Sequence, residues 1–316
     1  MKILITGAAG AIGSHLAERF LSLGHEVVGI DAMKPYYDPE IKKINAKDVE
    51  SAGGKIHYLD LATDDFTHLL SGVDIIFHMA AQPGISATTP FSTYLDDNIV
   101  ATHRLLEAAK KVPTLKAFIH ASTSSVYGAR ATGDETTEPK PTSYYGVTKL
   151  AAEQLAMSYY RELGLPVIVL RFFSVYGPRE RPEKLYHKLI KSIYEGTTIP
   201  LHEGSEHHIR SYTFVRDIID GCVLIVENLD KSIGEIYNLG TDKTMTTKEG
   251  IKIIENIMGK SANFVRMPRR PGDQIETGAN ISKLRKLGYD PKVRLEEGLK
   301  EQVGWYGNKL HNRKIK

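Results

Sequence analysis

The sequence is poor in the features that would take it outside the ordinary globular classes. It has one cysteine, Cys222, in 316 residues, which excludes an internal disulfide framework and fits a reducing compartment. Cys222 lies in the apolar run Cys222-Val223-Leu224-Ile225-Val226, the setting of a buried structural thiol rather than of a nucleophile. No apolar run approaches the roughly 18 residues that cross a bilayer. Met1-Lys2 leads directly into Ile3-Leu4-Ile5-Thr6-Gly7 with no signal-peptide pattern, so a cytoplasmic protein with no membrane partner is expected. An excess of one charge is also missing, since 41 basic residues face 38 acidic ones. There is no basic stripe with interleaved aromatics, so nucleic acid is not an expected partner. The one compact basic run, 311–316, reads as a solvated tail. No His, Cys and carboxylate set has metal-ligand spacing, and the adjacent His207 and His208 cannot face one site from a strand.

What is present is alternation. Lys2–Ile5, Glu26–Ile30, Ile75–Met79, Ala117–Ala121 and Pro166–Leu170 are short apolar runs bounded by turn signals, and each predicts a strand. Ile12–Leu23, Tyr94–Lys111 and Tyr144–Leu163 carry helical periodicity between them. Near-continuous apolar strands separated by helices predict a doubly wound parallel α/β sheet covered on both faces. After Gly177-Pro178 the elements shorten and Pro, Arg and His increase, which predicts a smaller α/β lobe towards the C-terminus.

The first strand runs into the first helix through Gly7-Ala8-Ala9-Gly10-Ala11-Ile12-Gly13. This G-x-x-G-x-x-G spacing suits a tight turn and a bare backbone beside a pyrophosphate, with a helix N-terminus aimed at the negative charge. A glycine-rich loop in isolation is weak evidence. Here it stands at the first βα junction, the context that makes it a dinucleotide signal. Asp31 closes the second strand, 18 residues beyond Gly13, where a carboxylate can accept from a ribose diol and repel a 2′-phosphate. The expected cofactor is therefore NAD, although Lys34 nearby works against the repulsion.

Tyr145-Gly146-Val147-Thr148-Lys149 places a phenol and an ammonium one helical turn apart on one face. A phenol titrates near pH 10 and is a poor base at neutrality, but neighbouring positive charge favours the phenolate. Taken by itself the spacing is common on exposed helices. Upstream, however, Ser122-Thr123-Ser124-Ser125 sets a hydroxyl cluster at the C-terminal end of a strand, where open α/β sheets bind ligands. A hydroxyl there can share a proton with a sugar hydroxyl while the phenolate removes it.

With these residues assembled, the chain resembles the extended short-chain dehydrogenases/reductases, in particular the NAD-dependent sugar-nucleotide epimerase/dehydratase family. The resemblance runs nearly end to end. It includes the glycine loop, Asp31, Tyr58-Leu59-Asp60-Leu61, His78-Met79-Ala80-Ala81-Gln82, Thr123–Gly128, Tyr145–Lys149, Arg171–Arg179, Tyr237–Gly240 and Arg270-Pro271-Gly272-Asp273. It implies a Rossmann-type fold and a homodimer that takes a UDP-sugar. Tyr145, Lys149 and Thr123 would be catalytic. Gly7, Gly10, Ala11, Ile12, Gly13, Asp31, Asp60, Leu61, Ala80, Ala81, Tyr145 and Lys149 would bind NAD. Arg210 and Arg270 would hold the pyrophosphate, for which arginine forks are suited, with Asp273 near the uridine ribose. The same resemblance divides the chain into an NAD-binding part, 1–175 plus about 213–242, and a UDP-sugar lobe, about 176–212 and 243–316.

Departures from the family pattern narrow the reaction. Its dehydratases carry Thr-Asp-Glu where this chain has Thr123-Ser124-Ser125, and its UDP-glucuronate decarboxylases carry Thr-Ser-Glu. Elimination loses its acid and base here, which leaves 4-epimerisation. Ser174 stands where most hexose epimerases have Asn. Pro178-Arg179-Glu180-Arg181-Pro182-Glu183 followed by Tyr186-His187-Lys188 resembles the UDP-glucuronate 4-epimerases. A uronate carboxylate needs cationic or hydroxyl partners, which Arg181, Ser124, Ser125 and Ser174 would provide, and His187 joins this substrate-binding set by the same resemblance. The expected reaction is interconversion of UDP-glucuronate and UDP-galacturonate through a 4-keto intermediate. UDP-glucose/UDP-galactose epimerisation is the main alternative, followed by UDP-glucuronate decarboxylation and a non-catalytic NAD(H) sensor.

Overall fold

The structure is a computed structural model that describes residues 1–86, 88–269 and 274–312. Its centre is a seven-stranded sheet made of β1 (Lys2–Thr6), β2 (Glu26–Ile30), β3 (Lys55–His57), β4 (Ile75–His78), β5 (Ala117–Thr123), β6 (Val167–Phe172) and β7 (Ile236–Leu239). All neighbours pair in parallel, in the order β7-β6-β5-β4-β1-β2-β3. The sheet is Rossmann-type and doubly wound, as the alternation predicts. Its strands read as continuous apolar runs because both faces are covered. Ile3, Ile5, Val27, Phe77, Ile119 and Ile168 point into one core cluster, while Leu4, Val28, Ile76, Phe118 and Val169 point into the other. This is the period-two alternation of a strand.

Helices α1 (Ala11–Ser22), α2 (Pro39–Ser51), α3 (Ala101–Ala109) and α4 (Tyr144–Leu163) accompany the first half of the sheet. Helix α4 begins where the Ser143 hydroxyl accepts from the Gly146 amide at 3.1 Å, and it ends at Gly164 in the left-handed conformation. Helix α2 and β3 were not expected from the sequence. Asp38 caps α2 and Pro39 opens it, but only Ile41, Ile44 and Val49 supply its apolar stripe among many charged residues. Further along the chain, α5 (Leu185–Glu195), α6 (Val215–Glu227), α7 (Thr247–Met258) and α8 (Leu295–Tyr306) alternate with short strands. Ile209–Arg210, Met245–Thr246, Glu276–Thr277 and Arg130–Ala131 form a small sheet of their own. Among the described residues no helix is long and apolar enough to cross a membrane.

Candidate active site

The ends of β1, β2, β4 and β5 open into one cavity of about 610 Å³, which extends to residues 174–188 and 199–212. At its inner end the glycine loop is compressed as far as a backbone allows. A Cβ on Gly13 would lie 2.2 Å from the Gly7 carbonyl oxygen, and Gly7 itself has φ of +68°. The N-terminus of α1 therefore meets the cavity with bare amides. Gly7, Gly10, Ala11, Ile12 and Gly13 all line it. Asp31 lines the same end, but its carboxylate is already engaged. It accepts from the Ala9 amide at 3.1 Å and the Met33 amide at 2.8 Å, and Lys42 stands 3.2 Å away. Asp60 and Leu61 lie along the adjoining wall, with Asp60 paired to Lys34 at 2.8 Å. Lys34, the cation close to Asp31 in sequence, thus turns to Asp60 and also to Asp97, at 2.5 Å. A bare-backbone turn at a helix N-terminus, with a carboxylate at the end of the second strand, fits the NAD that the sequence implies.

Ala80 and Ala81 continue the wall from the end of β4. Behind them His78 is buried between Thr6 and Thr102, 2.8 Å from each hydroxyl, and burial pushes its pKa down to about 3. The Asn98 side chain bridges the Gln82 amide at 2.7 Å and the Thr148 hydroxyl at 3.0 Å. This contact links the loop after β4 to α4.

Thr123, at the end of β5, accepts from the Ser125 amide at 3.2 Å and starts a tight helical turn over Ser124–Tyr127. Helix α4 comes down directly on this turn. A Cβ on Gly146 would lie 2.7 Å from the Ser125 carbonyl oxygen, so glycine beside Tyr145 is what lets the phenol reach Thr123. The Thr123 hydroxyl lies beside that phenol and favours its ionised form. Burial pushes the Tyr145 pKa up, while the Arg181 guanidinium and the Thr123 hydroxyl pull against it. Burial also lowers Lys149 to about 8, against a smaller opposing pull from Glu153. One turn further, Glu153 forms a buried fork with Arg171, with contacts of 2.6 and 3.0 Å, and accepts from Ser122 at 2.6 Å. Arg171 also reaches the Tyr127 hydroxyl at 2.7 Å. The floor of the site is therefore a closed polar network.

The outer end is built from segments far apart in sequence. Ser124, Ser125, Ser174, Arg181 and Arg210 all line the cavity with Tyr145. Among the described residues the Ser174 hydroxyl contacts that of Thr277 at 3.4 Å. Arg181 stands 2.9 Å from Glu183. Arg210 donates to the carbonyls of Ile209, at 2.9 Å, and Gln274. Arg270 and Asp273, expected at the nucleotide end, lie outside the described residues. His187 is the expected substrate residue that the structure places elsewhere. It is buried, its ring nitrogen 2.8 Å from the Glu180 carbonyl and its ring edge-on to Tyr306, so it packs α5 onto α8 rather than facing the cavity. Glu183, the last residue of the Pro178–Glu183 run, lines the site too, as do Gln274 and Tyr36, which were not singled out from the sequence. Lying in loops without periodicity, they carried no pattern to find.

Comparison with known proteins points the same way. Residues 3–240 match the model of the NAD dependent epimerase/dehydratase family. A Bacillus subtilis protein named as an uncharacterized UDP-glucose epimerase, YtcB, is 37% identical over 314 residues, covering 96% of this chain and 98% of its own. UDP-glucuronate 4-epimerase 4 of Arabidopsis thaliana is 34% identical, covering 97% of this chain and 75% of its own. Among solved structures, the UDP-glucuronic acid 4-epimerase of Bacillus cereus in complex with UDP-glucuronic acid and NAD superposes with a TM-score of 0.92 at 38% identity, covering 96% of this chain and 98% of that one.

Proposed function

Because the chain belongs to the NAD dependent epimerase/dehydratase family, we propose that it is an NAD-dependent 4-epimerase interconverting UDP-glucuronate and UDP-galacturonate. One observation carries the reaction type. The Tyr145 phenol and the Thr123 hydroxyl meet beside Ser124 and Ser125, in a cavity that begins at the glycine loop and brings no carboxylate to the two positions elimination requires. The glycine loop, Asp31 and Asp60 would hold NAD, which would supply reversible hydride acceptance at the sugar's C4. Tyr145 removes the 4-hydroxyl proton and later restores it, and Thr123 shares that proton. Burial by itself holds the phenol protonated, so positive charge around it decides its basicity. Arg181 contributes in the free protein. Lys149, with a pKa of about 8, binds the nicotinamide ribose and completes the charge. The 4-keto uronate is a β-keto acid, prone to lose carbon dioxide. Ser124, Ser125, Ser174 and Arg181 hold its carboxylate away from that geometry. Arg210 takes the pyrophosphate, joined by Arg270 and Asp273.

Residues 1–175 and about 213–242 make up the NAD-binding part in this reading, supported by the return of β7 to the edge of the main sheet. Residues 176–212 and 243–316, in round numbers, make up the sugar lobe. A cytoplasmic homodimer fits the exposed Phe91, Leu95, Tyr144 and Val147 on the two long helical segments. UDP-glucose is the second reading, favoured by the counter-charge that Glu183 already places on Arg181. The test is to incubate the purified protein with UDP-glucuronate and UDP-glucose separately and identify products by chromatography and proton NMR. UDP-galacturonate is the expected product, formed without added cofactor. Conversion of UDP-glucose alone would overturn the uronate assignment, and a UDP-pentose would overturn epimerisation.

A further inference from the structure

Arg181 lines the cavity within electrostatic reach of several phenols. Its charge acts on Tyr36, Tyr37, Tyr94 and Tyr145. A Cβ on Gly84 would stand 3.5 Å from both terminal nitrogens of Arg181 and 3.5 Å from the Tyr36 hydroxyl. A guanidinium shut in beside the Gly84 backbone needs a counter-charge, and Glu183 supplies it at 2.9 Å. The pair is badly aimed. Both Glu183 carboxylate oxygens and the nearer Arg181 nitrogen are shut from solvent, yet among the described residues none of them makes a hydrogen bond. A carboxylate buried with four open lone-pair sites is poorly held. It stands on the same cavity wall as Tyr145, Ser124 and Ser174.

We propose that Glu183 is an exchangeable counter-ion that occupies the sugar-carboxylate position on Arg181 and so sets the discrimination between a uronate and a neutral hexose. The inference rests on the UDP-sugar reading above. Two carboxylates cannot share one arginine nitrogen without repulsion, so an incoming uronate displaces Glu183 and takes its place in better hydrogen-bond geometry. With Glu183 seated, Arg181 is neutralised and suits a hydroxymethyl group. With Glu183 turned out, it is cationic and suits a carboxylate. Glu183 thus weakens uronate binding relative to hexose binding, and selectivity is a difference between those two affinities.

Calorimetric titration of NAD-loaded protein with UDP-glucuronate and with UDP-glucose reads this exchange without requiring turnover. In Glu183→Gln the preference for UDP-glucuronate over UDP-glucose should rise about tenfold over that of the parent. In Arg181→Met/Glu183→Gln that gain should vanish, because the effect acts through the arginine. A loss of packing alone would weaken both ligands equally. An unchanged or reduced preference in Glu183→Gln, reproduced in Glu183→Ala to cover a folding defect, overturns the proposal. If the parent epimerises UDP-glucuronate and the preference does not move, the function stands and the counter-ion fails. If the preference moves but UDP-glucuronate is not epimerised, the counter-ion stands and the functional reading fails.

Discussion

The two ends of the cavity are held in different ways. The cofactor end is built mainly on strand termini of the parallel sheet, from which Gly7, Asp31 and Ala80 follow closely. Backbone amides and the Gly7–Gly13 contact define it, and Asp31 and His78 are both held by hydrogen bonds. The sugar end is gathered from loops. Residues 174–183 approach 84 and 277, Arg181 beside Gly84 and Ser174 loosely against Thr277 at 3.4 Å, while Arg181 pairs with Glu183 inside the same segment. A cofactor that stays bound through every turnover suits a rigid wall. A sugar that must turn over between hydride removal and return suits an end with exchangeable contacts.

That contrast can be tested where the halves meet. Tyr145→Phe removes the proton acceptor at the junction, and turnover should fall about 10³-fold, or ~4 kcal/mol of barrier. UDP binding should persist, as read by calorimetry, and a fall below tenfold would mean that another group takes the proton. At the rigid end, Gly13→Ala drives a methyl towards the Gly7 carbonyl, where the space is only 2.2 Å. It should cost about 1–3 kcal/mol of stability and strip co-purified NAD, both visible by thermal melting and nucleotide analysis of the denatured protein. Retained NAD at parental occupancy would contradict a loop packed to its limit.

Lys149 sharpens the comparison through pH. Burial lowers its pKa from 10.5 to about 8, so between those values the unfolded chain binds a proton that the native chain releases. Its contribution to stability therefore rises as pH rises across that window, by up to about 1.4 kcal/mol per unit, and is constant and unfavourable below about pH 8. Urea unfolding of the parent and of Lys149→Met at several pH values should diverge with that sign, while parallel curves would show that the ammonium is not desolvated. The smallest effect belongs to the rim of the sugar end. Arg130 and Glu276 pair at 2.6 Å while the arginine side chain remains 67% exposed. Glu276→Gln should then change stability by less than about 1 kcal/mol. A larger loss would mean that the rim is as firmly built as the sheet.

Much of this was legible in advance where a local signal coincided with a tertiary one. The strands expected at Glu26–Ile30 and, within two residues at their ends, at Lys2–Ile5, Ile75–Met79, Ala117–Ala121 and Pro166–Leu170 are present, as is the helix Tyr144–Leu163. That helix has both a serine cap and a glycine stop. The helix expected at Tyr94–Lys111 starts earlier, at Phe91, and widens by a turn over Leu95–Val100. Asn98 is turned there towards Gln82 and Thr148, a long-range demand with no periodic trace. Helix α2 was hidden by its charge, and the place of His187 could not be read because its neighbours in sequence line the cavity while its own ring turns to Tyr306.

The parallel sheet, the glycine turn and the placing of Tyr145 and Lys149 one turn apart on one helix were readable from the residues alone, because apolar runs, glycine spacing and the helical repeat act over a few residues. The tertiary structure alone decided what each charge faces. Asp31 meets Lys42 and two amides, Lys34 meets Asp60 and Asp97, Arg179 turns to Glu18 and Asp48, and Arg181 meets Glu183. Coulombic and hydrogen-bond partners are chosen by proximity in space and by the water excluded around them, and loops of irregular conformation leave no repeat in the sequence from which that proximity can be read.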